Sequence, residues 1–450
     1  MTHRLRPVRS GIGSFLSLER NVVVMSVTGL MLNFGYQSFQ TFVPLYLRTL
    51  EASILDIGIV FVAVQIATTL VSIPGGLLAD RLGRKIVIVS GNALGFGLYF
   101  ALLGVSNWTI ALIILFGATV FSTLVLPASS SIVAESVRVD DRSRAFGTFF
   151  FFVYLGLALG SIVGGFLSNW IDIVIVAASG VVAASVRLLL LRETLPLSHR
   201  ANPRQRRFAT RLSRDVWLLL VAMLVFNFSS GLGQPLYAIF STDILHLTKW
   251  MLGLMVGLGL FAGMSGAFLA GKISAKLGIT KMMIMAVVVA SLLLIPWLYS
   301  PNALLALVIF ATSGFFAQFY FVGNQALMAD LTFAKERGSI IGLVTTVAGF
   351  GSIIGPYVGS QLWLSLGPRA PFLSSSLLAI AVAVPLVLIR GTPVAANCPH
   401  CGRSVEREAR FCDSCGEPID FRKCAVCGRL IEAKAIFCDS CGTTQVGESP

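Results

Sequence analysis

The sequence predicts an all-α integral membrane protein with twelve transmembrane helices in two related halves of six, followed by a small cysteine-rich tail. Of the 450 residues, 56% are hydrophobic and 12% are charged, and the mean hydropathy is +0.84. These values lie outside the range of soluble globular domains. Apolar stretches of about 20 residues, the length that crosses a bilayer, recur as far as residue 390, and all eight cysteines follow them.

A repeat of glycines and charges relates the two halves at a fixed offset of 195 positions. The matching pairs are Gly76 and Gly271, Gly83 and Gly278, Glu135 and Asp330, Asp141 and Glu336, Arg142 and Arg337, Gly156 and Gly351, Gly160 and Gly355, and Gly164 and Gly359. Two similar helical halves packed face to face leave a cavity between them, which is how many transporters are built. The repeat therefore favours transport.

Apolar stretches bounded by prolines and charges predict the helices, which we number spans 1 to 12. Backbone polar groups in hydrocarbon must be satisfied within the chain, so each span is expected to be helical. The predicted spans cover residues 22–46, 54–79, 85–106, 109–133, 144–168, 171–191, 216–240, 251–275, 281–299, 303–328, 338–364 and 370–389.

Lysine and arginine are concentrated on one side of the predicted membrane region. That side receives 22 of them, whereas the other side receives Arg48, Lys249 and Arg369. Because cytoplasmic loops of membrane proteins are enriched in these residues, both termini are expected to be cytoplasmic, in a plasma membrane. The first apolar run is full-length and lacks a small-residue cleavage site, so no cleavable signal peptide is expected. Residues 10–20 fit a short interfacial helix and a disordered basic leader equally well.

The loop between spans 2 and 3 reads GLLADRLGRK and resembles the signature loop of the major facilitator superfamily. The resemblance covers roughly residues 15–390 and implies gradient-driven transport by alternating access. An enzyme is not expected, since no phosphate-binding glycine loop, ATP-binding motif or plausible catalytic triad is present. The resemblance implies a cytoplasmic gate, whose candidate residues are Gly76, Asp80, Arg81, Gly83, Arg84, Glu135, Gly271, Lys276, Gly278 and Asp330.

Each gate residue has an expected physical role. Gly76 is expected to let span 2 approach a neighbour closely, and Gly83 to supply a tight turn. The resemblance places Asp80 at the N-terminus of span 11, where the helix dipole attracts anions.

Charged pairs are expected to complete the gate. Either Arg81 or Arg84 pairs with Glu135 at the end of span 4. In the second half Ala275 replaces the aspartate, so a pair between Lys276 and Asp330 is expected to be weaker. The alternative is that these charges only mark the inner membrane surface.

Glycines four residues apart recur in spans 5 and 11. The stretch GLALGSIVGG in span 5 resembles the antiporter motif of twelve-span drug/proton exporters, with Ser161 where proline is usual. Plain helix packing and a role in exchange direction are both open. Proton-coupled members usually carry an arginine in span 4, and its absence here weighs against proton coupling. The motif residues are Gly156, Gly160, Gly164, Gly165, Gly351, Gly355, Pro356 and Gly359.

Polar residues on spans 1, 7 and 10 are candidates for the substrate cavity, because the resemblance implies that spans 1, 4, 7 and 10 line the path. Interhelical hydrogen bonding is the alternative for any one of them. No charged residue falls in the middle of a span, and Arg187, near the inner end of span 6, is expected to snorkel. A neutral or amphipathic solute fits this lining and its many aromatic residues. The candidates are Asn33, Gln37, Gln40, Asn227, Ser230, Gln234, Gln318, Asn324 and Gln325.

The tail contains two blocks of four cysteines, and the second block repeats the spacing of the first throughout. Two Cys-x2-Cys pairs per block suit a tetrahedral zinc site, and the blocks resemble double zinc ribbon modules. Two Zn2+ ions are expected; disulfides do not suit the reducing cytosol, and iron is a minor alternative. Four protein ligands leave no position for activated water, so catalysis is not expected. The ligand candidates are Cys398, Cys401, Cys412, Cys415, Cys424, Cys427, Cys438 and Cys441.

The tail's charge balance argues against nucleic-acid binding, because it has more acidic than basic residues. A cytosolic protein partner or self-association is expected instead, beside the lipid bilayer and a small-molecule substrate for the spans. The predicted domains are a basic leader (1–20), an N-terminal bundle (21–191), a basic linker (192–215), a C-terminal bundle (216–390), a second linker (391–397) and a double zinc ribbon (398–443).

Three functions remain open at this stage. The first is an exporter of small neutral or amphipathic compounds, similar to multidrug efflux proteins. The second is an uptake carrier or facilitator for a neutral metabolite. The third is a membrane-anchored zinc-ribbon receptor or regulator, which the intact gate loop disfavours.

Overall fold

The structure is a computed structural model that describes the membrane region and short parts of the tail. The described residues are 19–138, 141–195, 212–332, 337–389, 395–397, 400, 404–406, 411, 415–418, 421–423 and 430–432. Most of the predicted leader and the central part of the linker, 196–211, lie outside them.

Twelve helices in the described residues are long and apolar enough to cross a membrane, as the sequence predicts. Their bounds differ from the predicted spans by a few residues. The helices are Arg20–Gln40 with Val43–Thr49 (span 1), Ile54–Leu82 (span 2), Arg84–Gly97 with a 3-10 turn over Leu98–Gly104 (span 3), Trp108–Glu135 (span 4), Arg142–Gly164 (span 5), Asn169–Leu190 (span 6), Arg214–Gly233 with Tyr237–Asp243 (span 7), Lys249–Leu277 (span 8), Ile279–Trp297 (span 9), Ala303–Asp330 (span 10), Arg337–Leu366 (span 11), and Ala370–Ala381 with Ala383–Leu388 (span 12).

The helices of spans 1 and 7 are each interrupted close to the C-terminal end of the span. The expectation of one continuous helix over each of 22–46 and 216–240 is therefore wrong. Pro44 lies in the first turn of the helix after the first break, and Pro235 lies in the second break. Proline lacks the N–H that a helix interior needs, and it is tolerated at a helix start.

Several helix ends recur at equivalent positions of the two halves. Asn107 and Asn302, which are equivalent in the repeat, begin spans 4 and 10 and accept hydrogen bonds from backbone N–H groups at 2.9 Å. Gly83 and Gly278 have positive φ angles of 106° and 85° and end spans 2 and 8. These angles favour glycine, because a β-carbon is strained there. The sequence repeat is thus also a repeat of local structure.

We call the end of the bundle that carries Gly83, Glu135, Leu190, Gly278 and Asp330 the basic end, and the other end the opposite end. Spans 2 and 11 pack against each other across the two halves, as do spans 5 and 8. Within each half, span 1 packs against span 5 and span 7 against span 11.

The apolar core consists of four clusters, one near each end of each half. At the opposite end the halves exchange side chains. Phe42 of the first half is fully buried in the cluster of the second half, and Ile239 of the second half is buried in that of the first. Burial of such side chains across the two halves stabilises their contact at this end.

The described part of the tail contains two short antiparallel hairpins. Strands β1 (Ala395–Asn397) and β2 (Ser404–Glu406) form the first, and β3 (Phe421–Lys423) and β4 (Leu430–Glu432) form the second. The two strands of the second hairpin lie at the positions equivalent to those of the first, so the hairpins follow the repeat of the cysteine blocks.

Candidate functional site

An ion pair joins the two halves at the opposite end, where Arg48 contacts Asp243. The two residues are 195 positions apart and are therefore equivalent in the repeat. Equivalent residues meet on an axis that relates two halves, so this pair marks the pseudo-symmetry axis. Both side chains are well exposed, which limits the energy of the contact.

A second and more buried ion pair closes one side of the opposite end. The Lys249 ammonium, at the start of span 8, donates to the Leu167 carbonyl oxygen at 2.6 Å, Asn169 Oδ1 at 3.1 Å and Asp172 Oδ2 at 2.8 Å. It also lies 4.6 Å from the centre of the Phe42 ring. Asp172 is fully buried. The sequence gives no signal for this site, since the two residues are not equivalent in the repeat.

Two amides from different halves meet in the middle of the bundle. Gln65 Nε2 on span 2 lies 3.4 Å from Gln234 Oε1 at the end of span 7. Gln234 is exposed and Gln65 is half-buried, so the contact between the halves does not enclose either side chain. Gln234 was predicted to line the cavity and Gln65 was not.

Two of the three candidates on span 1 bond within that span. Asn33 donates to the Gly29 carbonyl oxygen at 2.7 Å. Gln37 donates to Thr41 at 3.0 Å, and the Thr41 hydroxyl is 3.1 Å from that of Ser161 on span 5. Gln40 is half-buried.

The candidates in the second half divide in the same way. Asn227 donates to the Ala348 carbonyl oxygen of span 11 at 3.1 Å, which is an interhelical bond. The side chain of Gln318 packs beside Gly263 and Gly266 on span 8. Ser230 and Gln325 are exposed.

Span 10 also carries two polar atoms that are buried without a hydrogen-bond partner among the described residues, Asn324 Oδ1 and the Tyr320 hydroxyl. The Tyr320 ring stacks on Phe226 of span 7, with ring centres 4.0 Å apart. Buried polar atoms normally have a partner, so water or a solute is the natural complement here.

The gate loop is held within the first half at the basic end. Arg84 is 9% exposed and joins two carboxylates, donating to Asp80 at 2.6 Å and to Glu135 at 3.2 Å. Of the two arginines considered, Arg84 is thus the one that pairs with Glu135. Arg81 is exposed.

Glu193, at the start of the linker, was not expected in the gate. Its carboxylate accepts from the backbone N–H groups of Arg84 and Lys85, which begin span 3, at 3.0 and 3.1 Å. It also accepts from the N–H groups of Thr194 and Leu195. The Thr194 hydroxyl donates to Glu135 at 2.5 Å. The linker is thereby fastened to the gate loop and span 4.

The sequence matches a family model over most of its length. The model of the Major Facilitator Superfamily matches residues 25–315 and 294–400. The chain belongs to the Major Facilitator Superfamily. It is therefore a multi-pass membrane transporter and not an enzyme, which confirms the expectation from its gate loop.

Proteins similar to this chain include a multidrug resistance protein and two transporters of known structure. The multidrug resistance protein MdtG of Escherichia coli is 24% identical over 373 residues, which cover 80% of this chain and 91% of that protein. The nucleoside transporter NupG has the same fold, with a TM-score of 0.71 at 14% identity over 82% of this chain and 99% of NupG. A bacterial homologue of the human lysosomal transporter Spinster, solved inward-facing and occupied, superposes with a TM-score of 0.61 at 16% identity over 82% of this chain and 94% of that one.

The superfamily gate glycines do not all act as expected. Gly76 has only ordinary contact space, with Pro127 3.8 Å from a hypothetical β-carbon. The close approach is at the preceding residue, Gly75, where a β-carbon would lie 2.9 Å from the Leu124 Cα of span 4. The expected role of Gly76 is therefore wrong by one position. Gly83 does make the turn.

The gate residues of the second half lie at the same end. A β-carbon on Gly271 would have no neighbour within 4 Å among the described residues, so this glycine does not mark a close approach to them. Gly278 makes the turn between spans 8 and 9. Lys276 and Asp330 are both exposed.

The spaced glycines of spans 5 and 11 are packing faces. β-carbons on Gly156, Gly160 and Gly164 would overlap the carbonyl oxygens of successive turns of span 1. Gly351 and Gly359 meet span 7 carbonyl oxygens in the same way, and Gly355 meets Gly231. Small residues allow this backbone contact between membrane helices.

The glycine motifs also reach across the halves. Gly165 packs on Trp250, and a β-carbon on Gly253 of span 8 would lie 2.5 Å from the Ser161 carbonyl oxygen. At the equivalent contact, a β-carbon on Gly58 of span 2 would lie 3.0 Å from the Pro356 carbonyl oxygen. Ser161 and Pro356 thus occupy equivalent places on the inter-half surface.

Arg187 on span 6 does not snorkel to the membrane surface as expected. It is 3% exposed, and its Nε donates to the Thr28 hydroxyl of span 1 at 2.8 Å. Close packing of spans 1 and 6 encloses the side chain. The arginine is therefore part of the helix interface of the first half.

The tail matches the Double zinc ribbon family over residues 398–442. Seven of its cysteines lie outside the described residues, and Cys415 is exposed. The hairpins fit metal-binding knuckles, because the segments that join β1 to β2 and β3 to β4 contain the pairs Cys398/Cys401 and Cys424/Cys427. Thiolates in this spacing suit zinc, which would hold the tail together and activate no water.

Proposed function

We propose that this transporter exports small neutral or amphipathic organic compounds by alternating access. The single observation that carries the proposal is the uncharged contact of Gln65 with Gln234, two amides from different halves whose side chains remain accessible. A solute held there by amides needs no counter-ion. The likeness to MdtG, a multidrug resistance protein, supports export.

The charge distribution supports an orientation. The basic end carries most of the lysine and arginine, so we place it in the cytoplasm together with both termini, at the plasma membrane. The described state is held together at the opposite end and thus corresponds to access from the cytoplasm. Asp80, Arg84 and Glu135 are then the first half of a cytoplasmic gate that meets the second half when the cavity opens outward.

A second candidate function is uptake of a neutral hydroxylated metabolite. Amide side chains both donate and accept hydrogen bonds, so Gln65 and Gln234 suit hydroxyl groups as well as amphipathic compounds. The shared fold with the nucleoside transporter NupG is compatible with this alternative.

Proteoliposomes distinguish the two candidates. We expect accumulation of lipophilic dyes in inside-out vesicles, and competition by neutral amphipathic compounds, with no accumulation of sugars or nucleosides. The Gln65→Leu and Gln234→Leu variants should raise KM several-fold, since each removes one amide from the cavity. Accumulation of a sugar or nucleoside in right-side-out vesicles, with no dye movement in inside-out vesicles, would replace export by uptake.

For the tail we propose two zinc ribbons that contact a cytosolic protein or a second copy of the chain. The match to the double zinc ribbon family and the repeat of hairpins support two similar sites. Their four-cysteine composition favours a structural and recognition role.

A further inference from the structure

We propose that the Asp172–Lys249 pair is the electrostatic latch that sets how readily the transporter opens at the opposite end. The proposal rests on alternating access between the two halves. It assigns a conformational role to two residues outside the gate loop and outside the cavity.

The geometry makes the lysine wholly dependent on the other half. Lys249 begins span 8, and its three hydrogen-bond acceptors all belong to residues 167–172 at the start of span 6. An ammonium group has three donors, so every one is used. A separation at this point breaks all three bonds together.

The aspartate depends on the lysine in return. Asp172 is fully buried, and its Oδ1 has no hydrogen-bond partner among the described residues. Its Oδ2 receives the Lys249 ammonium at 2.8 Å. A buried carboxylate without a partner is costly, so loss of Lys249 leaves the closed state with an uncompensated charge.

The latch has no charged counterpart on the other side of the pseudo-symmetry axis. The positions equivalent to Lys249 and Asp172 are Ile54 and Gly367. Ile54 and the nearby Trp363 pack against the apolar clusters of both halves. One side of the closure is therefore electrostatic and the other is hydrophobic, and only the electrostatic side is sensitive to loss of a single charge.

The energetics of a buried ion pair suit a contact that must form and break during alternating access. Attraction between two buried charges roughly offsets the cost of removing them from water, and opening rehydrates both. The intact pair thus fixes where the halves meet without making the closed state irreversible. When one partner is removed, the remaining charge must still be removed from water in the closed state, with no attraction to offset that cost. Closure is therefore disfavoured.

The test measures distances by electron paramagnetic resonance in the full chain. Nitroxides are attached to a keto amino acid, which leaves the native cysteines unmodified. One labelled pair is Ser106 and Pro301, equivalent exposed sites at the opposite end, and the other is Ile86 and Lys281 at the basic end. In Asp172→Asn and Lys249→Met we expect the ratio of open to closed opposite ends to rise about tenfold. The rise is smaller than the loss of a fully buried ion pair would cause, because Lys249 is partly exposed. The basic-end distance should shorten correspondingly.

The double variant Asp172→Asn/Lys249→Met gives the decisive result. With both charges removed, no uncompensated charge remains, so the ratio should return to within about threefold of the wild-type value. Asp56→Asn is the matched control, since Asp56 lies at the same end and bonds to Ser53 of its own half. It should leave both distances unchanged. Lys249→Gln replaces Lys249→Met if the latter does not fold.

Single variants that keep the wild-type distances, or a double variant that opens as far as the two singles combined, would overturn the latch. Dye export is measured separately, in the proteoliposome experiment. If the variants shift the distances but the wild-type protein exports no dye, the proposed cargo is overturned and the latch is not.

Discussion

A single carboxylate, that of Glu193, binds the N-terminus of span 3 at the basic end. Glu193 accepts four backbone N–H groups, two at the start of span 3 and two in its own linker. The first N–H groups of any helix lack partners within it, and a carboxylate also interacts favourably with the helix dipole. Glu193 therefore stabilises the junction of gate loop and linker.

We expect Glu193→Ala to lower the stability of the first half by about 2 kcal/mol, because partly buried donors lose a charged acceptor. Thermal unfolding in detergent, followed by tryptophan fluorescence, measures this as a lower melting temperature. Glu193→Gln is the control, since it keeps one acceptor oxygen and should lose less. Equal melting temperatures for Glu193→Ala and the wild type would contradict this role.

The contribution of an ion pair to stability depends on how exposed its side chains are. The two ion pairs at the opposite end differ in this exposure. Asp243 is 36% exposed whereas Asp172 is fully buried. Asp243→Asn should therefore change stability by less than about 1 kcal/mol. The same melting assay checks this, and a clearly larger loss would contradict a weak contribution from this exposed pair.

Helices in each half pack through glycines that leave no space for a side chain. A β-carbon on Gly160 would overlap the Phe34 carbonyl oxygen, so spans 1 and 5 must separate in Gly160→Ala. We expect this variant to lose about 2 kcal/mol, as overpacked cores do. The melting temperature and the yield of monodisperse protein provide the measurement.

Gly147 is the matched control in the same helix, because a β-carbon there has no neighbour within 4 Å in the part of the chain that the structure describes. Gly147→Ala should be neutral or slightly stabilising, since alanine favours a helix over glycine. If both substitutions destabilise equally, helix propensity rather than close packing explains the motif.

The existence and order of the helices followed from the sequence, but the breaks in spans 1 and 7 did not. Length and hydropathy identify an apolar stretch that crosses a membrane, but they do not show where the helix within it is interrupted. Pro44 and Pro235 were visible signals of the breaks. The position of close contact at Gly75 rather than Gly76 depends on helix rotation, which the loop motif does not specify.

At the scale of the whole molecule, the repeat predicted two halves but not how they meet. Arg48 and Asp243 are equivalent in the repeat, but the offset between the halves does not show which equivalent residues touch. Lys249 and Asp172 are not equivalent, so periodicity gives no indication of their contact. Glu193 lies in the linker, where the repeat has no counterpart.

The tail is the part of the molecule whose fold should depend most on a bound metal. About 45 residues with few large apolar side chains cannot build an adequate core, so zinc supplies the folding energy. We expect about two zinc ions per chain by elemental analysis, and about one in Cys412→Ser, because the two cysteine blocks are separate sets of ligands. Removal of zinc by a chelator should make the tail sensitive to protease while the spans remain protected by detergent. A tail that resists protease without zinc, or a Cys412→Ser variant that keeps both ions, would contradict two independent metal-dependent ribbons.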